Sequence, residues 1–274
     1  MIDMHLRKLY AASLLHADWP APANVRAFTT RRGPAGNSEP PFGPLNLGAR
    51  SGDDPSTVAL NRSKLAFRMN MPSPPHWLHQ VHGTRVIACD QPAPHVPFRA
   101  REHAQHVLQV AVEPQADAAV TRTPGVVLAI QTADCLPVLF CAADASEIAA
   151  AHAGWRGLSA GVLEAVLAAM RTPRENVIAW LGPAIAAQSY EVGDEVRDAF
   201  TAHDPAAASA FIATRANHWL CDLYELARQR LRAAGISRIF GGGLDTFTDP
   251  RLHSFRRDGA RSGRMASLAW IDPP

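Results

Sequence analysis

The chain has 274 residues, of which 47% are hydrophobic and 19% charged, so it is long and apolar enough to bury a sizeable core. Its 27 Lys and Arg against 25 Asp and Glu give a formal charge of +2, too small a bias to predict a nucleic-acid or membrane partner. No apolar run reaches the roughly 18 to 20 residues that cross a bilayer. The four cysteines form no CxxC pair, which favours a reducing, cytoplasmic setting.

The sequence predicts one domain over residues 1–274. Residues 1–23 are interpreted as an N-terminal extension without a convincing cleavage site. The stretches 31–48 and 90–115 are predicted to be loops or insertions, the second with a short helix near 101–107. Neither stretch separates halves of different composition, and no internal repeat divides the chain.

Apolar periodicity predicts the regular elements. Seven runs rich in apolar residues predict strands, at 85–89, 125–131, 136–141, 147–153, 176–182, 237–242 and 264–271. Helices are predicted at 158–170, 190–200 and 222–235. The last of these has Asp222 as its N-cap and ends at Gly235. Strands follow each other both directly and across helices, which favours a mixed α+β sandwich over a purely parallel, doubly wound sheet.

Three short motifs place coordinating or reactive side chains at strand ends or turns. HQVHG carries His79 and His82 before the first predicted strand, and TADC carries Asp134 and Cys135 between two apolar runs. AHAGWRG carries His152 at the end of a strand. Because side chains at such positions can converge, we hypothesise that the three motifs build one site.

Cys135 has three interpretations, between which sequence spacing does not decide. A lone cysteine in an apolar run is most often a small buried residue, but Asp134 beside it would be costly to bury without partners. Cys135 could be a nucleophile paired with a histidine. With histidines of the other two motifs it could bind zinc or copper, leaving a fourth position for water or substrate. Cys141 cannot join such a site, because six extended residues place it roughly 20 Å away.

A fourth motif, HSFRRDGARSGRM, places four arginines around two glycines: Arg256, Arg257, Arg261 and Arg264. Guanidinium groups near flexible backbone can clamp phosphate or carboxylate in a bidentate manner. A solvated basic loop is the equally good alternative. The single aromatic residue of the motif, Phe255, makes it a poor match to a nucleic-acid patch.

Taken in order, HQVHGTRV, ADAAVTRTPGVVLAIQTADCLPVLF, AAAHAGWRG, LGPAIAAQSYEVGDEV and SFRRDGARSGRMASLAWI closely resemble the YfiH family, over nearly the whole chain. That family has been called multicopper polyphenol oxidoreductase (laccase), purine nucleoside phosphorylase and peptidoglycan editing factor. The resemblance implies a cytoplasmic, single-domain, four-layer αββα sandwich with mixed sheets, similar to the catalytic domain of cytotoxic necrotizing factor.

The resemblance also implies a set of metal ligands. Carried over motif by motif, they fall on His82, Cys135 and His152, which selects His82 over His79. The family's metal is usually taken as zinc, with copper also reported. His79 stays possible as a residue that contacts one of the ligands without binding the metal itself.

The chain departs from the family pattern near its C-terminus. Asp245 stands where many relatives have a cysteine, and Ser262 replaces a more usual threonine. The segment AIAAQSYEV lacks another cysteine that many relatives carry. These changes leave the three implied ligands intact but count against a redox role that needs several thiols.

The resemblance makes purine nucleoside chemistry the leading expectation: phosphorolysis of adenosine, inosine and S-methyl-5'-thioadenosine, with adenosine deaminase activity. The metal ligands would form the catalytic centre, with Asp134 as a proton carrier or a cap of a helix or turn. Arg156, Arg256 or Arg264 would hold phosphate. The expected partners are small molecules, not nucleic acid or membrane, and the expected state is a monomer or weak homodimer.

Three alternatives stay open. The main rival is a cytoplasmic amidase that removes L-serine from UDP-MurNAc-L-Ser, with zinc-activated water or Cys135 attacking the amide. A copper-dependent polyphenol oxidoreductase is the second alternative, weakened by the missing thiols and by the absence of multiple His-rich motifs. A metal-stabilised binding module without activity would need a fourth protein ligand.

Overall fold

The structure, a computed structural model, describes residues 8–94 and 113–274. Its strands are β1 (Leu14–His16), β2 (Val25–Thr30), β3 (Pro75–His76), β4 (Val86–Ala88), β5 (Ala118–Thr121), β6 (Val127–Thr132), β7 (Leu136–Ala142), β8 (Ile148–Ala153), β9 (Val177–Leu181), β10 (Glu191–Gly193), β11 (Phe211–Arg215), β12 (His218–Cys221), β13 (Arg238–Gly241) and β14 (Met265–Ile271). The main helices are α1 (Pro55–Arg68), α2 (Trp155–Ala160), α3 (Val162–Ala169), α4 (Asp194–Thr201), α5 (Leu223–Ala233) and α6 (Phe255–Asp258). Short 3₁₀ helices lie at Arg174–Asn176, Ala187–Ser189, Pro205–Ala210 and Gly259–Arg261.

The strands form three sheets with mixed pairing. A five-stranded sheet has the order β1-β2-β14-β6-β3, and a six-stranded sheet the order β13-β9-β7-β8-β5-β4. Both are antiparallel in their middle and carry parallel pairs at an edge: β3 with β6, β13 with β9, and β4 with β5. A small antiparallel sheet has the order β10-β12-β11. The predicted α+β class is confirmed.

Three apolar cores divide the molecule into four layers. Helix α1 packs through Leu65 on the outer face of the five-stranded sheet. Strands β6 and β7 meet between the two large sheets through Ile130 and Leu139. Val138 and Phe140 of β7 point the other way, into a core that helices α2 to α5 cover. This is the predicted αββα sandwich, and the alternation along β7 explains why its whole sequence is apolar: both of its faces are buried.

Two predicted helices are wrong in part. The helix predicted over 158–170 is two helices, because Gly161 between α2 and α3 has a φ of 99°, in the left-handed region that ends a helix. In the segment 190–200, the first residues form β10, which pairs with β12 through Glu191 opposite Leu220. Helix α4 begins only at Asp194.

The segments predicted as loops or as an extension have the following structure. Residues 31–48 form no helix or strand, and β1, which lies within 1–23, pairs with β2. The helix predicted near 101–107 and most of 90–115 lie outside the described residues. Within the described ranges, no helix has the length and apolar character needed to cross a membrane.

Candidate metal centre

The structure brings His82, Cys135 and His152 together at one end of the six-stranded sheet. One ligand atom from each lies within 4.8 Å of the others. The Cys135 Sγ is 3.8 Å from the His82 Nε2, and the two imidazole rings are edge-to-face with centroids 4.8 Å apart. His82 is exposed, Cys135 is half-buried and His152 is 3% exposed, so the cluster opens to solvent on the His82 side. His79 contributes no atom to this group.

Strand register and two glycines position the three side chains. In the β7–β8 ladder Leu136 lies opposite Ala153, so Cys135 and His152 lie at the same end of adjacent strands. A Cβ at Gly154 would lie 2.8 Å from the His82 ring and 3.0 Å from the Cys135 Sγ. The absence of a side chain at Gly154 therefore leaves room for the cluster. Because Gly157 also has no side chain, helix α2 can approach the backbone of the 82–83 turn closely.

Asp117, which the sequence analysis did not single out, connects the two histidines. Its carboxylate accepts a 2.9 Å hydrogen bond from His152 Nδ1 and bonds of 2.8 and 2.7 Å from the backbone N–H groups of His82 and Gly83. Since a carboxylate only accepts, Nδ1 of His152 carries a proton in either protonation state, so Nε2 is the nitrogen that can bind a metal once it has lost its own proton. Burial alone would raise the pKa of Asp117, but these hydrogen bonds and that from Val81 lower it, so Asp117 stays ionised.

Two residues of the centre have left-handed backbone. The φ of His82 is 62° and that of Asp134 is 88°, a region that costs an ordinary residue about 1 kcal/mol or more. Each is held by hydrogen bonds, His82 by Asp117 and Asp134 by Thr246 and Arg256.

Cys135 and His152 form a charged pair. Burial would raise the pKa of the Cys135 thiol, but the charges of His152 and His82 and their hydrogen bonds outweigh it and lower the pKa to about 6. For His152, burial would lower the pKa, whereas Cys135 and Asp117 raise it to about 9. At neutral pH the metal-free site therefore holds a thiolate beside an imidazolium.

The donor set fits a zinc or copper ion. With bonds of about 2.0–2.3 Å, a tetrahedral ion holds its ligand atoms about 3.3–3.8 Å apart. The distance between Cys135 Sγ and His82 Nε2, 3.8 Å, is close to this, and all three donors lie within 4.8 Å of one another. Imidazole nitrogen and thiolate sulfur suit both metals. Asp117 supplies the carboxylate that such sites place behind a histidine ligand. Three protein ligands leave a fourth position for water or substrate.

Asp134 is fully engaged by the protein. Its Oδ1 accepts a 2.6 Å bond from the Thr246 hydroxyl, and its Oδ2 accepts a 2.6 Å bond from the backbone N–H of Arg256 in the first turn of α6. The buried carboxylate thus caps α6 and fastens the Cys135 turn to the arginine-rich segment. This geometry favours the capping alternative over the proton carrier.

The candidate anion-binding arginines differ in their surroundings. Arg264 is the most buried, and it interacts electrostatically with Cys135 and Asp134. Arg256 is exposed, and it donates to the Glu191 carbonyl with its guanidinium 5.1 Å from the Tyr190 ring centroid. Arg156, also exposed, lies over its neighbour Trp155.

The other two arginines of the motif contact groups outside the centre. The Arg257 guanidinium donates to four backbone carbonyls, those of residues 246, 247, 249 and 252, and pairs with Asp258, which is a structural role. Arg261 lies over the Phe42 ring.

The structure also defines the surroundings of Tyr190 and Asp245. Burial, with the nearby negative charges of Cys135 and Asp134, raises the pKa of Tyr190, so its hydroxyl stays protonated beside Arg256. Asp245 accepts bonds from the Ser189 hydroxyl and three other groups and holds two loops together. Tyr190 lies within a motif that carried the family resemblance, but nothing local marked its orientation.

Comparisons with known proteins agree over almost the whole chain. A family model described as "Multi-copper polyphenol oxidoreductase laccase" matches residues 25–272. A purine nucleoside phosphorylase of Xylella fastidiosa is 53% identical over 264 residues, which is 94% of this chain and 96% of that protein. The protein named purine nucleoside phosphorylase YfiH of Escherichia coli is 45% identical over 261 residues, 95% and 99% of the two chains.

Solved structures also match almost the whole chain. The crystal structure of the Neisseria meningitidis protein NMB0706, described with the family DUF152, matches with a TM-score of 0.84 and 43% identity, covering 95% of this chain and all of that one. The crystal structure of YlmD from Geobacillus stearothermophilus also gives a TM-score of 0.84, at 28% identity and with 95% and 97% coverage.

Proposed function

Because this chain belongs to the YfiH family, which the laccase model describes, we propose that it is a zinc-dependent purine nucleoside phosphorylase. Its substrates would be adenosine, inosine and S-methyl-5'-thioadenosine, and it would also deaminate adenosine. The observation that carries the proposal is the juxtaposition of the His82–Cys135–His152 cluster with Arg264. The relatives from Xylella fastidiosa and Escherichia coli, which match nearly the whole chain, are named purine nucleoside phosphorylases.

The roles of the chain's own residues follow from their contacts. His82, Cys135 and His152 would hold the metal, and Asp117 keeps His152 Nε2 free for it. Zinc, when bound, supplies a Lewis acid that makes water a nucleophile near neutral pH, as deamination of adenine requires. Arg264, a buried cation beside the cluster, would bind the phosphate that attacks the sugar. Copper is the alternative metal.

The remaining features support small-molecule chemistry. The protonated Tyr190 hydroxyl is a donor at the wall of the site, and Arg256 and Arg156 add exposed positive charge there. We propose that the protein acts in the cytoplasm as a monomer or weak homodimer, on small molecules and without nucleic acid or membrane.

A direct assay tests the proposal. The purified zinc-loaded protein is incubated with inosine and phosphate, and hypoxanthine and ribose 1-phosphate are followed by mass spectrometry. A parallel incubation with UDP-MurNAc-L-Ser tests the amidase. A third, with a copper-loaded sample and a diphenol, tests oxidation. Turnover of only the second or third substrate contradicts our proposal.

Two variants connect the assay to the site. Cys135→Ala removes a ligand and should abolish turnover. Arg264→Gln should raise the KM for phosphate more than that for inosine. Arg261→Gln is the matched control, because Arg261 belongs to the same motif but lies over Phe42.

A further inference from the structure

Two exposed apolar side chains border the metal centre. Among the described residues, the large hydrophobic side chains that are exposed are those of Phe67, Val81, Ile212 and Phe255. Val81 is 42% exposed and precedes the ligand His82, and its N–H bonds Asp117. Phe255 is 50% exposed and precedes Arg256, whose N–H bonds Asp134 beside the ligand Cys135. Exposed apolar groups beside a few polar side chains are typical of a ligand site.

The Phe255 ring lies beside Arg264. The Arg264 guanidinium carbon is 5.8 Å from the ring centroid, and this arginine also interacts electrostatically with Cys135. The ring therefore packs against an arginine that is coupled to the cluster. The first turn of α6 is held by Ser254, which caps it, and by Asp134, so the ring stands on a fixed backbone.

We propose that Phe255 is the platform on which the purine base of the substrate stacks, a role that rests on the proposed function. A planar base offers an apolar π-face that matches a half-exposed phenyl ring, and stacking of this kind tolerates any base with such a face. Arg264 contacts both the ring and the region of the cluster, so base and phosphate would bind side by side. Phe255 thus determines affinity for the base while Arg264 binds the anion.

Ligand binding without turnover tests the platform. Inosine in the absence of phosphate can be neither phosphorolysed nor deaminated, so its Kd is measured by calorimetry on the zinc-loaded protein. Phe255→Ala should raise this Kd roughly 5- to 150-fold, the loss that removal of an aromatic stacking partner gives. Phe255→Tyr, which keeps the ring, should change it by less than about 3-fold, and ribose 1-phosphate should bind Phe255→Ala as it binds the wild type.

Phe67→Ala is the matched control. Phe67 is also exposed and also has an arginine guanidinium, that of Arg68, near its ring, at 5.4 Å. It lies near the end of α1, on the other side of the five-stranded sheet from the six-stranded sheet that carries the centre. This variant should bind inosine with the wild-type Kd.

Each outcome distinguishes the platform from the activity. If the wild type binds inosine in a Phe255-dependent way but does not cleave it with phosphate, the platform stands and the proposed function fails. If the wild type cleaves inosine and Phe255→Ala binds it unchanged, the platform is wrong. Equal loss of inosine and ribose 1-phosphate in Phe255→Ala also overturns it, since Phe255 would then only position Arg264.

Discussion

At the scale of single residues, Asp117 determines the geometry of the metal centre. A buried carboxylate is costly unless every oxygen is paired, and Asp117 is paired with His152 on one strand and with the 81–83 turn on another segment. One side chain thereby fixes both the tautomer of one ligand and the backbone of another. The convergence of the three motifs was predictable because each lies at a local break in an apolar pattern, whereas the choice of His82 over His79 came from the family resemblance. Asp117 was not, because its role arises only when β5 pairs with β8.

Replacing Asp117 by Asn should lower zinc affinity by about 10- to 100-fold, the usual effect of losing the partner of a histidine ligand. An amide has only one acceptor oxygen, so it cannot accept from His152 Nδ1 on one side and from the Val81 and Gly83 N–H groups on the other, as the carboxylate does. Affinity is measured by competition with a chromophoric chelator. Asp245→Asn is the control, because Asp245 is a comparably buried carboxylate that bonds loop groups and no ligand. Equal zinc affinity in Asp117→Asn and wild type would refute the assignment.

The thiol of Cys135 should react at unusually low pH in the metal-free protein. With its pKa near 6, the rate of alkylation by iodoacetamide should be half-maximal near pH 6 and level off above pH 7. The plateau should last until His152 loses its proton near pH 9. In His152→Gln the half-point should move up by at least one pH unit. A wild-type half-point at pH 8 or above contradicts the pairing.

The other cysteines provide an internal control for that experiment. Cys89, Cys141 and Cys221 are buried, and burial raises the pKa of each, to about 11 for Cys89 and to about 12 for Cys141. Peptide mapping after brief alkylation should therefore find the label on Cys135 among the described residues.

At the scale of elements, the site depends on how closely α2 approaches the 82–83 turn. Gly154 and Gly157 both lie where a Cβ would touch this turn, which explains the two glycines of AHAGWRG. The same local pattern did not reveal the end of α2. The apolar spacing of 158–170 continues through Gly161, and whether a glycine interrupts a helix depends on the packing of the turns on either side.

Gly154→Ala should reduce zinc affinity at least 10-fold without unfolding the protein. Its φ of −65° suits any residue, so the effect comes from the added methyl group, which meets the His82 ring and the Cys135 Sγ. Gly161→Ala is the contrasting variant. It places alanine at a φ of 99°, which should cost about 1 kcal/mol of unfolding free energy, but no ligand lies near its Cβ. Loss of zinc affinity in both variants alike would contradict this account.

At the scale of the whole molecule, the long apolar strands were predicted, whereas short or mixed ones were missed, among them the largely buried β2 and β5. Strands such as β7 and β14 are continuous apolar runs because both of their faces are covered. Strand β11 is mostly exposed, with Ile212 in solvent, and β1 and β3 have only two or three residues. Which strands pair is not encoded locally: β14 meets β2 through pairs more than 200 residues apart in sequence.

His253 should make global stability depend on pH. It is fully buried, and burial, with the nearby charges of Arg32 and Arg264, lowers its pKa to about 3. The unfolded chain binds a proton at this residue below pH about 6.5 and the folded chain does not, so stability falls as pH drops from 6.5 toward 3. Protonation of this one group in the unfolded chain should lower the free energy of unfolding by about 2 kcal/mol between pH 7 and pH 5.

The variant His253→Gln isolates this effect. Gln can donate to the Leu45 carbonyl, as His253 Nε2 does, but takes up no proton. The free energy of unfolding in urea is measured for both proteins at pH 7 and pH 5. The wild type should lose about 2 kcal/mol more than the variant over that interval. Parallel pH profiles would show that His253 is not the group responsible.

The position of β14 has a consequence for synthesis of the protein. This strand, at Met265–Ile271, is synthesised after both β2 and β6, yet it lies between them in the middle of the five-stranded sheet. The nascent chain must therefore keep β2 and β6 apart, with open edges, until β14 has been synthesised. A premature stop codon anywhere before Met265 leaves two apolar strand edges unpaired, and such edges pair with other chains. The five-stranded sheet can close only after β14 has left the ribosome.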